Sequence, residues 1–240
     1  MNSNVYDQDF FAQQREVSAR SAAVVAPRVC EWVRPASVVD VGCGIGAWLA
    51  AFREQGVRDV VGLDGHYVDR QKLLFPVEAF TPADLENPPP LGRHFDLAVC
   101  LEVVEHLPRS VGERLIRYLA DLAPVILFSA AVPGQPGTHH VGAEWPDRWQ
   151  GKFAALGYVA LDPIRPLIWH DERVALHYRQ NLLLFVRESR LAPGSVLSGL
   201  PRANCLTLID QDILRLNLGL GAGLRRLPAQ LWKLISRRRF

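Results

Sequence analysis

Apolar and polar positions change period along the chain. From Phe10 to Val33 apolar residues recur at helical spacing, and Pro27 divides the stretch into a helix and a second helix that the proline opens. Short, nearly uninterrupted apolar runs follow at Ser37–Val41, Val60–Leu63, Phe95–Leu101 and Val125–Ser129. Such runs suit strands buried on both faces. Between them stand helical patterns, Ala47–Glu54 and Ser110–Leu122, the latter introduced by Pro108 and ended before Pro124. Trp145–Leu156 is a further helix stopped at Gly157. Tyr158–Leu161 and Asn181–Val186 are two more strands, the last an antiparallel partner at the edge. Strands alternating with helices imply right-handed crossovers and a doubly wound, Rossmann-like α/β sheet, mostly parallel. The character changes after Glu188: APGSVLSGLPRAN reads as a linker, and the residues beyond it as a helical, basic extension. The expected division is therefore 1–188 for the main domain, with 1–35 as an N-terminal helical lid, and 189–240 for linker and tail.

Composition narrows the class. A chain of 240 residues is long enough for one sizeable α/β domain with appendages, and 49% hydrophobic against 22% charged residues is ordinary for a globular protein. A formal net charge of +2, with no basic patches interleaved with aromatics in the main domain, argues against a nucleic-acid surface. Cys30, Cys43, Cys100 and Cys205 are scattered without metal-ligand spacing and read as free thiols of a reducing compartment. The first residues have no basic segment followed by an apolar one, and no apolar run reaches the ~18 residues of a membrane span. These features point to the cytoplasm.

The first strand ends in VVDVGCGIGAW, Val38 to Trp48. Alone, Gly42-Cys-Gly44 with Ala47 also fits a relaxed dinucleotide fingerprint, with Asp64 at the spacing of a ribose ligand. Asp40 tells against that reading. A pyrophosphate over these glycines would meet a like charge in a poorly solvated crevice, whereas an ammonium and a sulfonium would not. Gly42, Gly44 and Gly46 let the backbone turn tightly and approach a ligand closely, and the helix that begins there offers free amides to a carboxylate.

Asp40 with the glycine loop resembles the first motif of the class I S-adenosylmethionine-dependent methyltransferases. The resemblance runs in order along residues 36–186 and extends to methyltransferase-domain proteins of glycan and secondary-metabolite biosynthesis. It implies a seven-stranded sheet with one antiparallel edge strand and S-adenosylmethionine as cofactor. VVGLDG places Asp64 where the family binds both ribose hydroxyls, and PADLE places Asp84 and Leu85 where it contacts adenine. Asp84 has an alternative as the cap of a turn with Pro82 and Asn87. FDLAVCLEVVEHLP supplies Leu101 to the cofactor pocket and Glu102 facing the substrate.

Methyl transfer is an in-line displacement in which the cofactor carries the reactivity, so the protein aligns the acceptor and excludes water. A hydroxyl acceptor also needs a base or a metal. Candidate bases or anchors are His106 after the fourth strand and His139 and His140 after the fifth. Glu102-x-x-Glu105-His106 with His140 resembles the metal sets of ubiquinone-biosynthesis O-methyltransferases and small-RNA 2′-O-methyltransferases, which implies Mg²⁺ or Mn²⁺. The same motif is common in metal-free relatives, where it shapes the pocket. Trp145 and Trp149, four apart, together with Trp169, His170, Tyr178, Arg179 and Asn181, supply rings and donors for an acceptor such as a sugar, or else core material. Gln14, Ser18 and Arg20 are placed to reach over the cofactor from the lid.

The reading is an O-methyltransferase acting on a hydroxyl of a sugar, glycan or natural product. Its rivals are a metal-dependent RNA 2′-O-methyltransferase, a small-molecule N-methyltransferase, and a regulatory module that only binds the cofactor. The tail residues Arg225, Arg226, Lys233, Arg237, Arg238 and Arg239 alternate with leucines at near-helical spacing. That pattern suits a peripheral contact with the inner membrane surface, or packing on the domain or on a second subunit.

Overall fold

The computed structural model describes residues 8–210, and side chains from Glu16 onward. The basic tail beyond Asp210 and the side chain of Gln14 lie outside the described residues. Helix α1 (Gln8–Val33) leads into seven strands: β1 (Ser37–Val41), β2 (Asp59–Asp64), β3 (Phe80–Pro82), β4 (Leu97–Leu101), β5 (Val125–Ser129), β6 (Tyr158–Leu161) and β7 (Leu183–Arg187). They form one sheet in the order β3-β2-β1-β4-β5-β7-β6. The first five strands pair in parallel, and β7 pairs antiparallel with both β5 and β6. The antiparallel strand thus lies one place inside the edge, and β6 takes the edge itself. A strand between two others can be almost wholly buried, which fits the unbroken LLFV of β7.

Helices cover both faces. On one, α1 and α2 (Ala47–Glu54) pack with α6 (Leu176–Asn181) around Leu49, Phe52, Leu97 and Leu184. On the other, α3 (Arg109–Leu122) and α4 (Pro146–Ala154) bury Leu115, Ile116, Leu119, Trp149 and Phe153. Pro27 does not open a second helix, because α1 runs through it without a break. Its interior position forgoes one hydrogen bond at a cost of about 3 kcal/mol. Burial of Ala22, Val25, Ala26, Val29 and Val33 along the face that meets α2 offsets that cost.

The stretch expected as a linker packs on the domain. Leu197 is in the core beside α1. Pro201–Ala203 bond to Asp162 and Ala160 beside β6. Arg165, at the start of α5 (Arg165–Ile168), is 1% exposed, and its guanidinium donates to both oxygens of Asp162 and to the carbonyls of Gln180, Cys205 and Leu206. A buried guanidinium must place its five N–H groups, and only the returning segment supplies enough acceptors. Composition alone does not show such a demand.

Candidate functional site

A cavity of about 950 Å³ opens at the carboxyl ends of β1 to β5, closed over by α1 and α6. Ligands collect at this edge in open α/β sheets because the loops there carry free main-chain donors beside the point where strand order reverses. β1 delivers Asp40 and the glycine loop. Gly42 has φ +87° and lies against Val103, where a Cβ would come within 2.3 Å of the valine. The loop can pass β4 that closely only without a side chain.

Asp40 is 3% exposed and Asp64, at the end of β2, is 4% exposed. Burial, then the charge of Asp64, pushes the Asp40 carboxyl well above the usual carboxylate range. Burial raises Asp64 as well, opposed by the hydrogen bonds it accepts. Those come from the N–H of Gly44 and of Gly65, each at 2.6 Å, and from the Tyr67 hydroxyl. Two buried carboxyl groups that resist ionisation together suit a ligand bearing positive charge. After β3, Asp84 and Leu85 line the cavity. Oδ1 of Asp84 accepts from the N–H of Glu86 at 3.0 Å, capping the turn and leaving Oδ2 uncommitted to that cap.

The other half of the cavity holds a second set of titratable groups. Leu101 and Glu102 end β4, and a helical turn, Val104–His106, carries Glu105 and His106. Glu102 adopts φ +55°, a left-handed conformation that costs a non-glycine residue about 1–2 kcal/mol. Both its oxygens accept carboxamide N–H groups, from Gln135 at 2.8 Å and from Asn181 at 3.2 Å. Glu105 is fully buried; its Oε1 accepts from the N–H of Ala131 at 3.0 Å, while Oε2 has no hydrogen-bond partner. Burial and the neighbouring Glu102 charge drive its carboxyl well above the usual range. His106 and His140 meet edge to face with centroids 5.1 Å apart. Burial and then His140 lower the pKa of His106. His140 lies across Gly137, where a Cβ would come within 2.2 Å of the ring, and its Nδ1 pairs with the carbonyl of Gln135 at 3.2 Å.

The structure separates neighbours that sequence spacing had grouped. His140 faces the cavity, whereas His139 is exposed with φ +57° and lies outside the lining. Trp149 is a core residue against Phe128, 2% exposed, and Trp145 is exposed; neither lines the cavity. Tyr178 does line the cavity, its hydroxyl near Ser18 and Trp48, and burial pushes it up to about 12. Arg179 turns away to the carbonyl of Trp169, and His170 and Arg20 are exposed elsewhere. Of the four proposed metal ligands, Glu105, His106 and His140 bring their donor atoms within 4.8 Å of one another. Glu102 stands outside that set, and its two oxygens accept from Gln135 and Asn181.

Sequence reasoning missed His177, Gln135 and Gln180. Burial lowers the pKa of His177, which lines the cavity with His106 and His140. His177, Gln180 and Asn181 fall at i, i+3 and i+4, and that spacing on a helix is the signal that separates them from Arg179.

A seven-stranded sheet in this order, with the cavity at its carboxyl edge, is the Rossmann-like fold that methyltransferases share. Residues 12–154, more than half of the chain, match the methyltransferase domain family, and the chain belongs to it. Over 118 residues it is 30% identical to ribosomal RNA large subunit methyltransferase E of Caulobacter sp. strain K31, covering 44% of this chain and 48% of that protein. The chain thus spans about half the length of that curated relative. Among solved structures, DesVI of Streptomyces venezuelae superposes with TM-score 0.58 at 16% identity, covering 74% of this chain and 95% of that one. An amino pentose methyltransferase from Micromonospora echinaspora with bound S-adenosylmethionine gives 0.52 at 18% identity, covering 78% and 100%. At these identities the two structures establish the fold. Among the described residues no helix is long and apolar enough to cross a membrane.

Proposed function

We propose that the chain transfers the methyl group of S-adenosylmethionine to a hydroxyl of a sugar, glycan or other small natural product. One observation carries the reading: a single cavity that holds the glycine loop, with His66 nearby, continues to the imidazoles of His106, His140 and His177. In this reading Asp64 accepts from the ribose hydroxyls, Asp40 faces the cationic methionine part beside Gly42, Gly44 and Gly46, and Oδ2 of Asp84 meets the adenine amine between Leu85 and Leu101. The acceptor lies in the other half, next to Glu102 and Tyr178. His106, with its pKa lowered by burial, is neutral at pH 7 and able to take the hydroxyl proton as the methyl group moves.

Charge limits the acceptor. Besides Asp40 and Glu105, which burial holds against ionisation, the described lining carries Asp64, Asp84, Glu86 and Glu102 against one lysine, Lys72. An anionic phosphodiester chain is disfavoured by such a wall, and a neutral polyol or an amine is not. The amino pentose enzyme among the structural neighbours agrees with a sugar acceptor.

A second reading gives a metal to the same place. Oε2 of Glu105 and Nδ1 of His106 are buried without hydrogen-bond partners, and with His140 they form a compact donor set. One carboxylate with two imidazoles suits Mn²⁺ better than Mg²⁺, which prefers oxygen ligands. Such an ion would lower the pKa of the acceptor hydroxyl. Glu105, His106 and His140 would hold it, with Glu102 beside them.

The test is incubation of the full chain with labelled S-adenosylmethionine and a panel of neutral sugars, amino sugars and short RNA. Label in an alkali-stable sugar ether supports the reading. Transfer to RNA or to amines alone, or to no panel member, overturns it.

A further inference from the structure

Between the C-terminal end of β4 and α6 the structure carries a run of hydrogen bonds with one direction. It starts at the main-chain N–H of Asp210, which donates to Oε1 of Gln180 at 2.7 Å. Nε2 of Gln180 donates to Oδ1 of Asn181 at 3.0 Å. Nδ2 of Asn181 donates twice, to Oε1 of Gln135 at 2.9 Å and to Oε1 of Glu102 at 3.2 Å. Nε2 of Gln135 closes the run on Oε2 of Glu102 at 2.8 Å.

The two ends fix the direction. A main-chain N–H only donates, and at the other end both oxygens of Glu102 accept. Three carboxamides linked between such ends have one arrangement in which every contact pairs a donor with an acceptor. Turning any of them over sets N–H against N–H or oxygen against oxygen. All three are buried, with Gln180 at 1%, Asn181 at 5% and Gln135 at 9% exposure, so water cannot repair the mismatch. The source of the run is held as firmly as its end. Arg165 binds the carbonyl of Gln180 together with those of Cys205 and Leu206, which fixes the returning segment beside α6.

We infer that residues 201–210 belong to the acceptor site, because the Asp210 N–H orients the Glu102 carboxylate through Gln180, Asn181 and Gln135. The inference rests on the reading that the acceptor occupies the histidine half of the cavity. Each oxygen of Glu102 accepts one carboxamide N–H and keeps a further lone pair for a hydroxyl of the acceptor. The strained backbone of Glu102 gives its carboxylate a fixed starting point, and the two donors fix where it ends. Gln135, Gln180 and Asn181 are positioning residues: they act on the acceptor through Glu102. The position of the 201–210 segment explains why a chain stretch with no catalytic side chain is tied down by a fully buried arginine.

The test compares full-length variants. Asp210→Pro removes the donating N–H, and Asp210→Ala keeps it while removing the side chain. Gln180→Met keeps the length and removes both polar ends. Hydrogen exchange of the Asn181 side-chain amide, followed by NMR, should accelerate at least tenfold in Asp210→Pro and in Gln180→Met and stay within twofold in Asp210→Ala. Affinity for S-adenosylmethionine should stay within twofold in all three. With the panel sugar that the wild type methylates, kcat should fall at least tenfold in Gln180→Met, and at least tenfold in Asp210→Pro relative to Asp210→Ala. Unchanged Asn181 exchange in folded Asp210→Pro and Gln180→Met overturns the relay. Accelerated exchange with unchanged kcat overturns its service to the acceptor. A wild type that methylates no panel member removes the acceptor reading, and with it the role given to Glu102, while the exchange data decide the relay by themselves.

Discussion

Replacing Asp64 by asparagine keeps the shape of the side chain and removes one acceptor atom. The aspartate takes the N–H of Gly65 and the Tyr67 hydroxyl on Oδ1, and the N–H of Gly44 on Oδ2. Whichever way the carboxamide is set, either Gly44 or Gly65 faces an NH₂ group. An orphaned buried N–H costs about 1–3 kcal/mol. The low end applies to stability here, because loss of the charge also relieves Asp40, whose pKa Asp64 helps to raise. The effect on the cofactor is larger. Hydrogen bonds to a charged group contribute about 1–1.5 kcal/mol more than neutral ones, so two ribose hydroxyls, one of them taking the place of the Tyr67 hydroxyl on Oδ1, lose roughly 2–3 kcal/mol. At about 1.4 kcal/mol per decade, Kd for S-adenosylmethionine rises roughly 30- to 150-fold. Calorimetric titration of both proteins measures this, with a circular-dichroism melt to establish that the variant is folded. A Kd within threefold of wild type in a folded Asp64→Asn protein would refute Asp64 as the ribose carboxylate.

The remaining predictions concern the base, the metal and the tail. Because burial and then His140 lower the pKa of His106, the neutral base persists to lower pH than a free imidazole. The rate should hold from pH 8 to the ordinary imidazole value of 6.5 and fall only below it; a rate halved already at pH 7 contradicts the assignment. Full activity in EDTA leaves Glu105, His106 and His140 as pocket groups with a histidine base, whereas loss of activity restored by Mn²⁺ establishes the metal reading. The six basic residues from Arg225 to Arg239 predict salt-sensitive co-sedimentation with anionic vesicles, at about 1 kcal/mol for each charge near the surface. The comparison is with a chain ending at Asp210, since residues 191–210 pack on the domain, and equal partitioning of the two refutes a membrane role.

Much of the architecture was legible in the chain because strand and helix periods report burial locally. The runs at Ser37–Val41 and Val125–Ser129 became β1 and β5 with the expected ends, and Ala47–Glu54 became α2 unchanged. The glycine loop with Asp40 was legible as well, since a tight turn after a buried strand restricts which residues can stand there. Periodicity says that a residue is buried and not what it is buried against. It therefore could not place β7 between β5 and β6, nor distinguish Trp149 as core from Trp145 as surface.

Loops carry no period at all, so the choice between His139 and His140 waited for the backbone conformation that turns one outward and lays the other over Gly137. The commitment of Glu102 to Gln135 and Asn181, and the return of the chain to Arg165, depend on partners 33 to 79 and 40 or 41 residues away. Hydrogen-bond complementarity over such separations has no local signature in composition or spacing. The sequence by itself determined the alternation of elements, the cofactor loop and the carboxyls at its strand ends. Tertiary structure decided which imidazoles meet and how Glu102 is bonded, because those outcomes rest on groups far apart in sequence that only folding brings into contact.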